Sequence, residues 1–260
     1  MRENTLKRRL DAGETVYGAW LMLAEPLAAE AMASAGFDWL LVDMEHGPIP
    51  LAVAATMVTA LRAAGATAFV RPAWNEPAQI QRVLDLGCAG IVVPVVNTAD
   101  DARRVVRDAR FPPLGERSRG AVRAGLAFGT DAGTYSERSN TEVLVYVQIE
   151  TDEAVANCAA IAAVEGVDGL FLGPNDLAAS SGKRWPEVWQ RDADYMAKIA
   201  QVAKVAQAAG KHAGILARDG VMATEMAALG YRFVGVSSDI NYLMGTARRE
   251  LDAARGTAKR

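Results

Sequence analysis

Two carboxylates end successive apolar runs of this sequence. The run VLVYVQIE closes on Glu150, and the next run, GLFLGPND, closes on Asp176. If these runs are adjacent parallel strands about 4.8 Å apart, the carboxylates repel unless a cation lies between them or one is protonated. Such oxygen ligands suit a hard ion such as Mg²⁺ or Mn²⁺. The simpler alternatives are a helix N-terminal charge at Glu150 and a helix cap at Asp176, and spacing alone leaves them open.

Further polar residues stand at the ends of these and other apolar runs and would meet at the same end of a parallel sheet. They are Asp43, Glu45, His46, Arg71, Gln148 and Asn175. An imidazole titrates near neutral pH, so His46 is a candidate general acid–base group. Asp85, in the motif VLDLG, is either its orienting partner or a solvated helix carboxylate. The other histidine, His212, is predicted at the opposite end and is assigned no role.

The cations of the predicted site are arginines and not lysines. Arg71 ends the run AFVR, and its guanidinium could bind a carboxylate or a developing oxyanion, or bridge to a loop carboxylate. Arg123 is a weaker candidate for the same task. Schiff-base aldolases need a lysine at a strand end, and none of the six lysines ends a predicted strand there. Carbonyl chemistry at this site would therefore need a metal ion as its electron sink.

The elements that position these residues alternate along the chain. Eight apolar runs predict buried parallel strands at 17–21, 39–43, 68–71, 90–94, 143–150, 169–172, 212–216 and 233–236. Amphipathic runs between them predict helices at 25–35, 51–64, 77–86, 98–107, 152–162, 186–209, 219–228 and 239–254. Eight such repeats favour a single (β/α)8 TIM barrel over residues 1–260, with the site at the strands' carboxyl ends.

Two features qualify this fold prediction. A doubly wound open sheet is the runner-up, but the sequence has no G-x-G-x-x-G motif and no P-loop. The connection 112–140, rich in Gly, Arg and Ser, is predicted to lack regular structure and to act as a cover, a subunit contact or a catalytic loop.

Composition limits the class of protein. The chain has 260 residues, of which 51% are hydrophobic, and a net charge of −3, so neither a nucleic-acid surface nor a membrane span is expected. Cys88 and Cys158 are expected to be buried thiols and not a disulfide framework. The charged N-terminus has no apolar run behind it, so no signal peptide is expected, and a cytoplasmic location is predicted.

Taken together, these motifs resemble the HpcH/HpaI aldolases, which are metal-dependent class II pyruvate aldolases. The resemblance covers nearly the whole chain and rests on DMEHGP, FVRPAWNEPAQIQRVLDLG, FPPLGERSRG, VQIET, VEGVDGLFLGPNDLAASSG and GILA. Each motif alone is weak, but their combination is specific. The family implies reversible cleavage of 4-hydroxy-2-oxo acids, of the 4-hydroxy-2-oxoheptanedioate or 2-keto-3-deoxy sugar acid type, to pyruvate and an aldehyde.

The resemblance also implies a role for each matching residue. Glu150 and Asp176 correspond to ligands of a divalent ion, Mg²⁺, Mn²⁺ or Co²⁺. His46 corresponds to the base, Asp85 to its partner, and Arg71 to the group that stabilises the pyruvate enolate. The implied substrate contacts are Arg71, Gln148, Gly173, Pro174 and Asn175 for pyruvate, with Asp43 and Arg123 near the aldehyde.

The family further implies a homo-oligomer, a hexamer built as a trimer of dimers, with helix 239–254 exchanged between subunits. Two alternatives stay open. A CitE-like acyl-CoA lyase shares the barrel and its Arg/Glu/Asp core, although the His of DMEHGP favours the aldolase. A non-catalytic barrel that binds a small acid would be expected to lack at least one of His46, Arg71, Glu150 and Asp176, and all four are present.

Overall fold

The chain folds as a closed barrel of eight parallel strands. The computed structural model describes residues 1–257. The strands are β1 (Val16–Leu21), β2 (Trp39–Asp43), β3 (Thr67–Arg71), β4 (Gly90–Val93), β5 (Leu144–Ile149), β6 (Gly169–Leu172), β7 (His212–Ala217) and β8 (Phe233–Ser238). Each strand pairs in parallel with the next, and β8 closes on β1. The predicted (β/α)8 fold is confirmed, and the strand bounds agree within two residues.

Helices cover the outside of the barrel and close its amino end. They are α1 (Thr5–Asp11), α2 (Pro26–Ser34), α3 (Leu51–Ala63), α4 (Pro77–Asp85), α5 (Ala99–Ala109), α6 (Val122–Ala127), α7 (Ala132–Glu142), α8 (Asp152–Ala162), α9 (Pro174–Ser180), α10 (Trp185–Val188), α11 (Ala193–Ala208), α12 (Gly220–Ala228) and α13 (Asp239–Ala254). The helix predicted over 186–209 is divided, because Asp192 caps a new helix by accepting from the Tyr195 amide. No helix within residues 1–257 is long and apolar enough to cross a membrane.

The prediction that 112–140 lacks regular structure is wrong. This segment contains α6 and most of α7. Asp131 caps α7 by accepting a hydrogen bond from the Thr134 amide. The buried side of α7 contains Ser136 and Ser139 beside Tyr135. Small polar residues on a buried face give no apolar period, so a prediction based on hydrophobic periodicity misses the helix.

Aromatic rings fill the interior of the barrel. Trp39 stacks on Phe233 with 3.9 Å between ring centroids, and Tyr146 stacks on the same ring at 4.6 Å. Glycines opposite these rings make the space that they need: a Cβ on Gly18 would lie 2.1 Å from the Trp39 ring, and one on Gly169 would lie 2.3 Å from Tyr146. The interior is therefore a packed core and not a pore, as in other barrels of this type.

Helix α1 seals the amino end of the barrel. Its Leu6 and Leu10 belong to the same buried cluster as the interior rings. His212, at the start of β7, joins Tyr146 Oη through Nδ1 at 3.1 Å and Asp11 of α1 through Nε2 at 2.9 Å. This histidine therefore lies at the end of the barrel where the sequence predicts it, away from the strands' carboxyl ends.

Candidate active site

A cavity of about 290 Å³ opens at the carboxyl ends of the strands. Its floor is apolar and includes Trp20, Phe171 and Leu216. Its wall contains eight of the residues that the sequence predicts or implies for the site, namely Asp43, His46, Arg71, Gln148, Gly173, Pro174, Asn175 and Asp176. Strand topology thus brings residues far apart in the sequence to one small pocket, at the face that carries catalysis in barrels of this kind.

Arg71 is the fixed cation of this pocket. Its Nε donates to Asp43 Oδ1 at 2.9 Å and its Nη2 to Asp43 Oδ2 at 2.6 Å, while Nη1 lies 2.9 Å from Glu45 Oε2. Burial alone would lower the pKa of Arg71, but the hydrogen bonds and charges of its acidic neighbours outweigh burial and raise it. The guanidinium therefore remains charged and cannot swing away from the pocket.

Asp43 is the last residue of β2 and Arg71 is the last residue of β3. The two are directly opposite each other in the strand register, which explains why their side chains pair. The Asp43 side chain is fully buried, and both of its oxygens accept from Arg71. Oδ1 also accepts from the amides of Glu45 and His46 at 3.1 and 3.2 Å. These contacts indicate that Asp43 holds Arg71 and shapes the His46 loop.

Glu150 follows β5 and is 5% exposed. Its Oε1 accepts from the Val95 amide at 2.8 Å, and its Oε2 accepts from Gln148 Nε2. Burial raises the pKa of this carboxyl to about 7, and the charges of Asp176 and Glu45 act in the same direction. Glu150 does not itself line the cavity but contacts the wall residue Gln148. A nearby divalent cation would favour its ionised form, so this carboxylate is well suited to a metal ion.

Asp176 lies in the first turn of α9, directly after β6, and its side chain is exposed. The preceding Gly173 allows this turn to approach β5, because a Cβ there would lie 2.9 Å from both Gln148 Nε2 and Glu150 Oε2. Within residues 1–257, no group of three His, Cys, Asp or Glu side chains is arranged to hold a metal ion. Two carboxylates fit an ion that takes its other ligands from water and substrate oxygens.

Glu45 is a site residue to which the sequence prediction gave no role. It is largely buried beside Arg71, and burial raises its pKa, with Asp43 and Asp176 adding to the rise and Arg71 opposing it. Asp43, Glu45 and Glu150 are therefore the acidic neighbours of one buried arginine, and Asp176 lies close to Glu45 and Glu150. The sequence feature that could have indicated Glu45 is its place in the motif DMEHGP, between Asp43 and His46.

His46 projects at the rim of the cavity and is exposed. Asp85 does not lie beside it within this chain. Asp85 is the last residue of α4, which returns from the carboxyl ends of the strands to the amino ends, whereas His46 follows the carboxyl end of β2. Asp85 Oδ1 accepts a hydrogen bond from Arg117 Nη2 at 2.7 Å. The His46–Asp85 contact is therefore not made within this chain, because the helix carries Asp85 to the other end of the barrel, and the pairing stays a prediction.

Arg123 is also outside the cavity. It lies at the start of α6, and its Nη2 donates to Thr59 Oγ1 of α3 at 2.7 Å and to the Ala55 carbonyl. Within this chain Arg123 therefore lies outside the cavity, and its place near the aldehyde stays a prediction. The segment around Arg123, which was predicted to be a loop over the site, packs on the outer helices of this chain.

The β7 and β8 ends supply wall residues that the sequence prediction did not select. They are Arg218, Ser237, Ser238 and Asn241, with Trp185 of α10 beside them. The sequence does place polar residues at these strand ends, because the runs GILA and FVGV are followed directly by RD and SSD. No neighbouring motif of chemically active residues pointed to them.

Comparison with known proteins agrees with this geometry. The family model of the HpcH/HpaI aldolase/citrate lyase family matches residues 16–245. A 4-hydroxy-2-oxo-heptane-1,7-dioate aldolase of Shigella sonnei (strain Ss046) is 40% identical over 249 residues, 94% of this chain and 92% of that protein. A family member from Burkholderia cenocepacia J2315 has a TM-score of 0.89 at 38% identity, covering 97% of this chain and 99% of that one. The citrate synthase SbnG has a TM-score of 0.86 at 29% identity, with 96% and 97% coverage.

The matched region contains all eight strands and every residue of the cavity wall. The relatives cover nearly the full chain, so the likeness is not confined to a shared barrel. The resemblance of the motifs is confirmed, and a pyruvate aldolase function is supported by these relatives. The chain therefore belongs to the HpcH/HpaI aldolase/citrate lyase family and is a carbon–carbon lyase.

Proposed function

We propose that the chain is a metal-dependent pyruvate aldolase that reversibly cleaves 4-hydroxy-2-oxo acids to pyruvate and an aldehyde. The observation that carries this proposal is a fixed arginine on the wall of one small cavity with a buried carboxylate close to it. Arg71 offers a permanent positive charge, and Glu150 has a pKa raised to about 7 by burial. Such a wall suits a substrate that develops negative charge during the reaction.

Glu150 and Asp176 would hold the divalent ion, Mg²⁺, Mn²⁺ or Co²⁺. When bound, the ion supplies Lewis acidity that draws electrons from the keto group of the 2-oxo acid. Gln148 and the turn Gly173, Pro174 and Asn175 border the same space and would contact the pyruvyl part. Arg71 would stabilise the oxygen charge that grows as the carbon–carbon bond breaks, and Asp43 keeps it in position.

His46 would move the proton. In the cleavage direction its imidazole accepts the proton of the 4-hydroxyl, the C3–C4 bond breaks, and its electron pair passes into the enolate of pyruvate. The aldehyde then leaves, and the imidazolium returns the proton to C3, which gives pyruvate. The exposed place of His46 at the cavity rim is consistent with a group that must exchange protons during turnover.

The first test is pyruvate release from a panel of 4-hydroxy-2-oxo acids. Chelator treatment should abolish the activity, and Mn²⁺, Mg²⁺ or Co²⁺ should restore it. Borohydride with pyruvate should leave no covalent adduct, because the mechanism uses no lysine. Full activity without metal, a trapped lysine, or cleavage of an acyl-CoA with no release of pyruvate would each contradict the proposal; the last result would favour the CitE-like alternative.

We also propose that the chain assembles as a homo-oligomer, for which a hexamer is the expectation. The support is the surface of α13, where Leu243, Met244 and Leu251 are 60%, 54% and 48% exposed along one helix. Of the residues in this helix only Asp239 is buried against the barrel. An apolar row of this kind commonly packs on another chain.

A further inference from the structure

Strand β4 supplies no residue to the cavity wall, among the residues that the structure describes. The loop that follows it, residues 94–98, reaches the site through its backbone instead. The amide of Val95 donates to Glu150 Oε1 at 2.8 Å. Glu150 is the buried carboxylate that the proposed function assigns to the metal ion, so this backbone contact bears on metal binding.

The backbone of Val95 is strained. Its φ is 55°, in the left-handed region, where the Cβ of an L-residue crowds the carbonyl oxygen that follows. A β-branched residue is a genuine outlier there, whereas glycine would adopt the same angle without strain. Such a conformation persists only when surrounding contacts impose it, and it often marks a functional site. The contacts that impose it are therefore informative.

Buried neighbours anchor the chain on both sides of Val95. Pro94 and Val96 are both buried, and Val96 belongs to the main hydrophobic core, while Val95 itself is half-buried. The chain must reverse direction between the end of β4 at Val93 and the start of α5 at Ala99. Because the residues on either side are held in the core, Val95 takes the unfavourable angle within this short turn.

Asn97 ties the loop to the segment that carries Glu150. Its Oδ1 accepts from Thr151 Oγ1 at 2.6 Å, and its backbone carbonyl accepts from Asn157 Nδ2 of α8 at 2.9 Å. Thr151 directly follows Glu150 in the sequence. The Asn97 amide is also held, because it donates to Asp101 Oδ2 of α5 at 3.1 Å. The loop therefore cannot shift relative to Glu150 without breaking several hydrogen bonds.

The start of α5 fixes the far end of the loop. Thr98 and Asp101 form a capping box, in which Thr98 Oγ1 accepts from the Asp101 amide at 3.1 Å and Asp101 Oδ2 accepts from the Thr98 amide at 2.8 Å. A capping box satisfies backbone amides on both sides of the helix start and so defines where the chain enters the helix. The loop is thus held at both ends.

The two oxygens of Glu150 face different parts of the molecule. Oε1 accepts from the loop after β4, whereas Oε2 accepts from Gln148 Nε2 and lies beside the turn into α9. A Cβ on Gly173 of that turn would be 2.9 Å from Oε2, and Asp176 lies in the same turn. A hydrogen bond to a carboxylate is strong, so the bond to Oε1 resists rotation of the group and keeps Oε2 directed toward α9.

We infer that the loop 94–98 positions Glu150 for the metal ion: the strained Val95 amide holds Oε1 so that Oε2 is presented to the ion, and Asn97 keeps that amide in place. This inference rests on the proposed function and deepens it. Val95 and Asn97 do not line the cavity, so they are positioning residues that act through Glu150. Contacts of this kind orient metal ligands and commonly control metal affinity.

The test removes the Val95 N–H group alone. Incorporating the 2-hydroxy acid analogue of valine at position 95 replaces the amide by an ester and keeps the side chain. The Kd for Mn²⁺, measured from the electron paramagnetic resonance signal of the free ion, should rise by about ten- to a hundredfold. Asn97→Ala should also raise the Kd, by a smaller factor because the amide is still present. A wild-type Kd in a folded Val95 ester, or in Asn97→Ala, would overturn the inference.

A second amide–asparagine pair in this chain provides a matched control. The Phe111 amide donates to Asn140 Oδ1 at 2.9 Å, and neither residue lines the cavity. An ester at Phe111 and the variant Asn140→Ala remove the same kind of contact at a distance from Glu150. Both should lower the Tm of the metal-free protein and leave the Kd for Mn²⁺ as in the wild type. Equal increases in Kd for the two pairs would mean that general loosening weakens the site, which would contradict positioning by the loop.

Glu150→Gln separates failure of this inference from failure of the proposed function. A wild-type protein that binds no Mn²⁺, or that binds it no better than Glu150→Gln, would contradict the metal site on which the proposed function depends. Binding that requires Glu150 but is unchanged by the Val95 ester and by Asn97→Ala would contradict the positioning role alone. Binding that is weakened by all three changes, and by neither control, is the expected result.

Discussion

At the scale of single residues, the site depends on one arginine that two carboxylates hold from different sides. Asp43 binds Arg71 through two hydrogen bonds, and Glu45 lies 2.9 Å from its remaining Nη1. A lysine has the same charge but cannot form the fork, so it would leave part of this buried acidic group without a partner. The shape of the guanidinium, and not only its charge, is therefore predicted to matter.

Arg71→Lys should lower kcat for pyruvate release by about 10²–10³-fold, the usual loss for one charge-stabilising donor. The measurement is steady-state kinetics at saturating metal, with thermal unfolding to show that the variant is folded. Arg103→Lys, on the surface of α5, is the matched control and should retain the wild-type rate. A folded Arg71→Lys variant with near wild-type kcat would refute the proposed role of the fork.

Glu150→Gln tests the metal site without an activity assay. Millimolar Mn²⁺ should raise the Tm of the wild-type protein, because an ion that binds only the folded state stabilises it by about 2.7 kcal/mol at a hundred times Kd. The variant lacks the buried charge and should show little or no shift. Glu153→Gln, an exposed carboxylate in the first turn of α8, should respond like the wild type. Equal shifts in all three proteins would exclude Glu150 as a ligand.

At the scale of elements, strands and helices have different effects on which residues reach the cavity. Every strand except β4 contributes a residue in it or directly after it to the cavity, while glycines along the strands make room for the interior rings. The helices determine which residues are carried away from the cavity, as α4 does for Asp85. A residue's place at the start or end of a helix therefore decides whether it can reach the site.

Gly18→Ala should destabilise the protein by about 3 kcal/mol, because the added methyl group would overlap the Trp39 ring in a core that cannot expand. The free energy of unfolding in urea measures the change. Gly220→Ala at the start of α12 is the control, since a Cβ added there would have no atom within 4 Å, and it should alter stability by less than about 1 kcal/mol. An unfolding free energy unchanged by Gly18→Ala would mean that the interior packing is looser than described.

His212 should make stability depend on pH. Burial lowers its pKa, with Asp11 partly opposing the shift, so the folded state favours the neutral ring. The unfolded chain then binds more protons below about pH 6.5, and the free energy of unfolding should fall as the pH decreases from there. Urea unfolding at pH 7.5 and pH 5.5 measures this fall, and His212→Gln should reduce it. A variant with the same pH dependence as the wild type would show that other groups cause it.

At the scale of the whole molecule, helix α13 lies largely exposed on the outside of the closed barrel. Apart from its first residue, α13 buries none of its side chains, although Leu243, Met244 and Leu251 lie on it. The barrel itself is sealed by α1 at the amino end and by packed rings inside. The surface of α13 is thus the part of the fold that a second chain would complete.

Replacing both Leu243 and Leu251 by Asp should lower the molecular mass in solution toward that of one chain, because each charge would be buried in an apolar contact. Light scattering after size-exclusion chromatography gives the mass. Arg249→Ala, an exposed change on the same helix, should keep the wild-type mass. A wild-type protein that is already monomeric, or a double variant of unchanged mass, would contradict assembly through α13.

The sequence by itself determined the barrel and the residues on one side of its cavity. Period and length of the apolar runs define eight buried strands, and side chains at their ends must converge because parallel strands all finish at the same edge. For that reason His46, Arg71, Gln148 and Asp176 could be selected before their distances were known. The tertiary structure alone decided which charges are paired. It turned Asp43 toward Arg71, buried Glu45 beside them, and carried Asp85 and Arg123 away on helices. It also bent β8 so that Ser238 faces the cavity, since register and burial arise only when distant segments pack together.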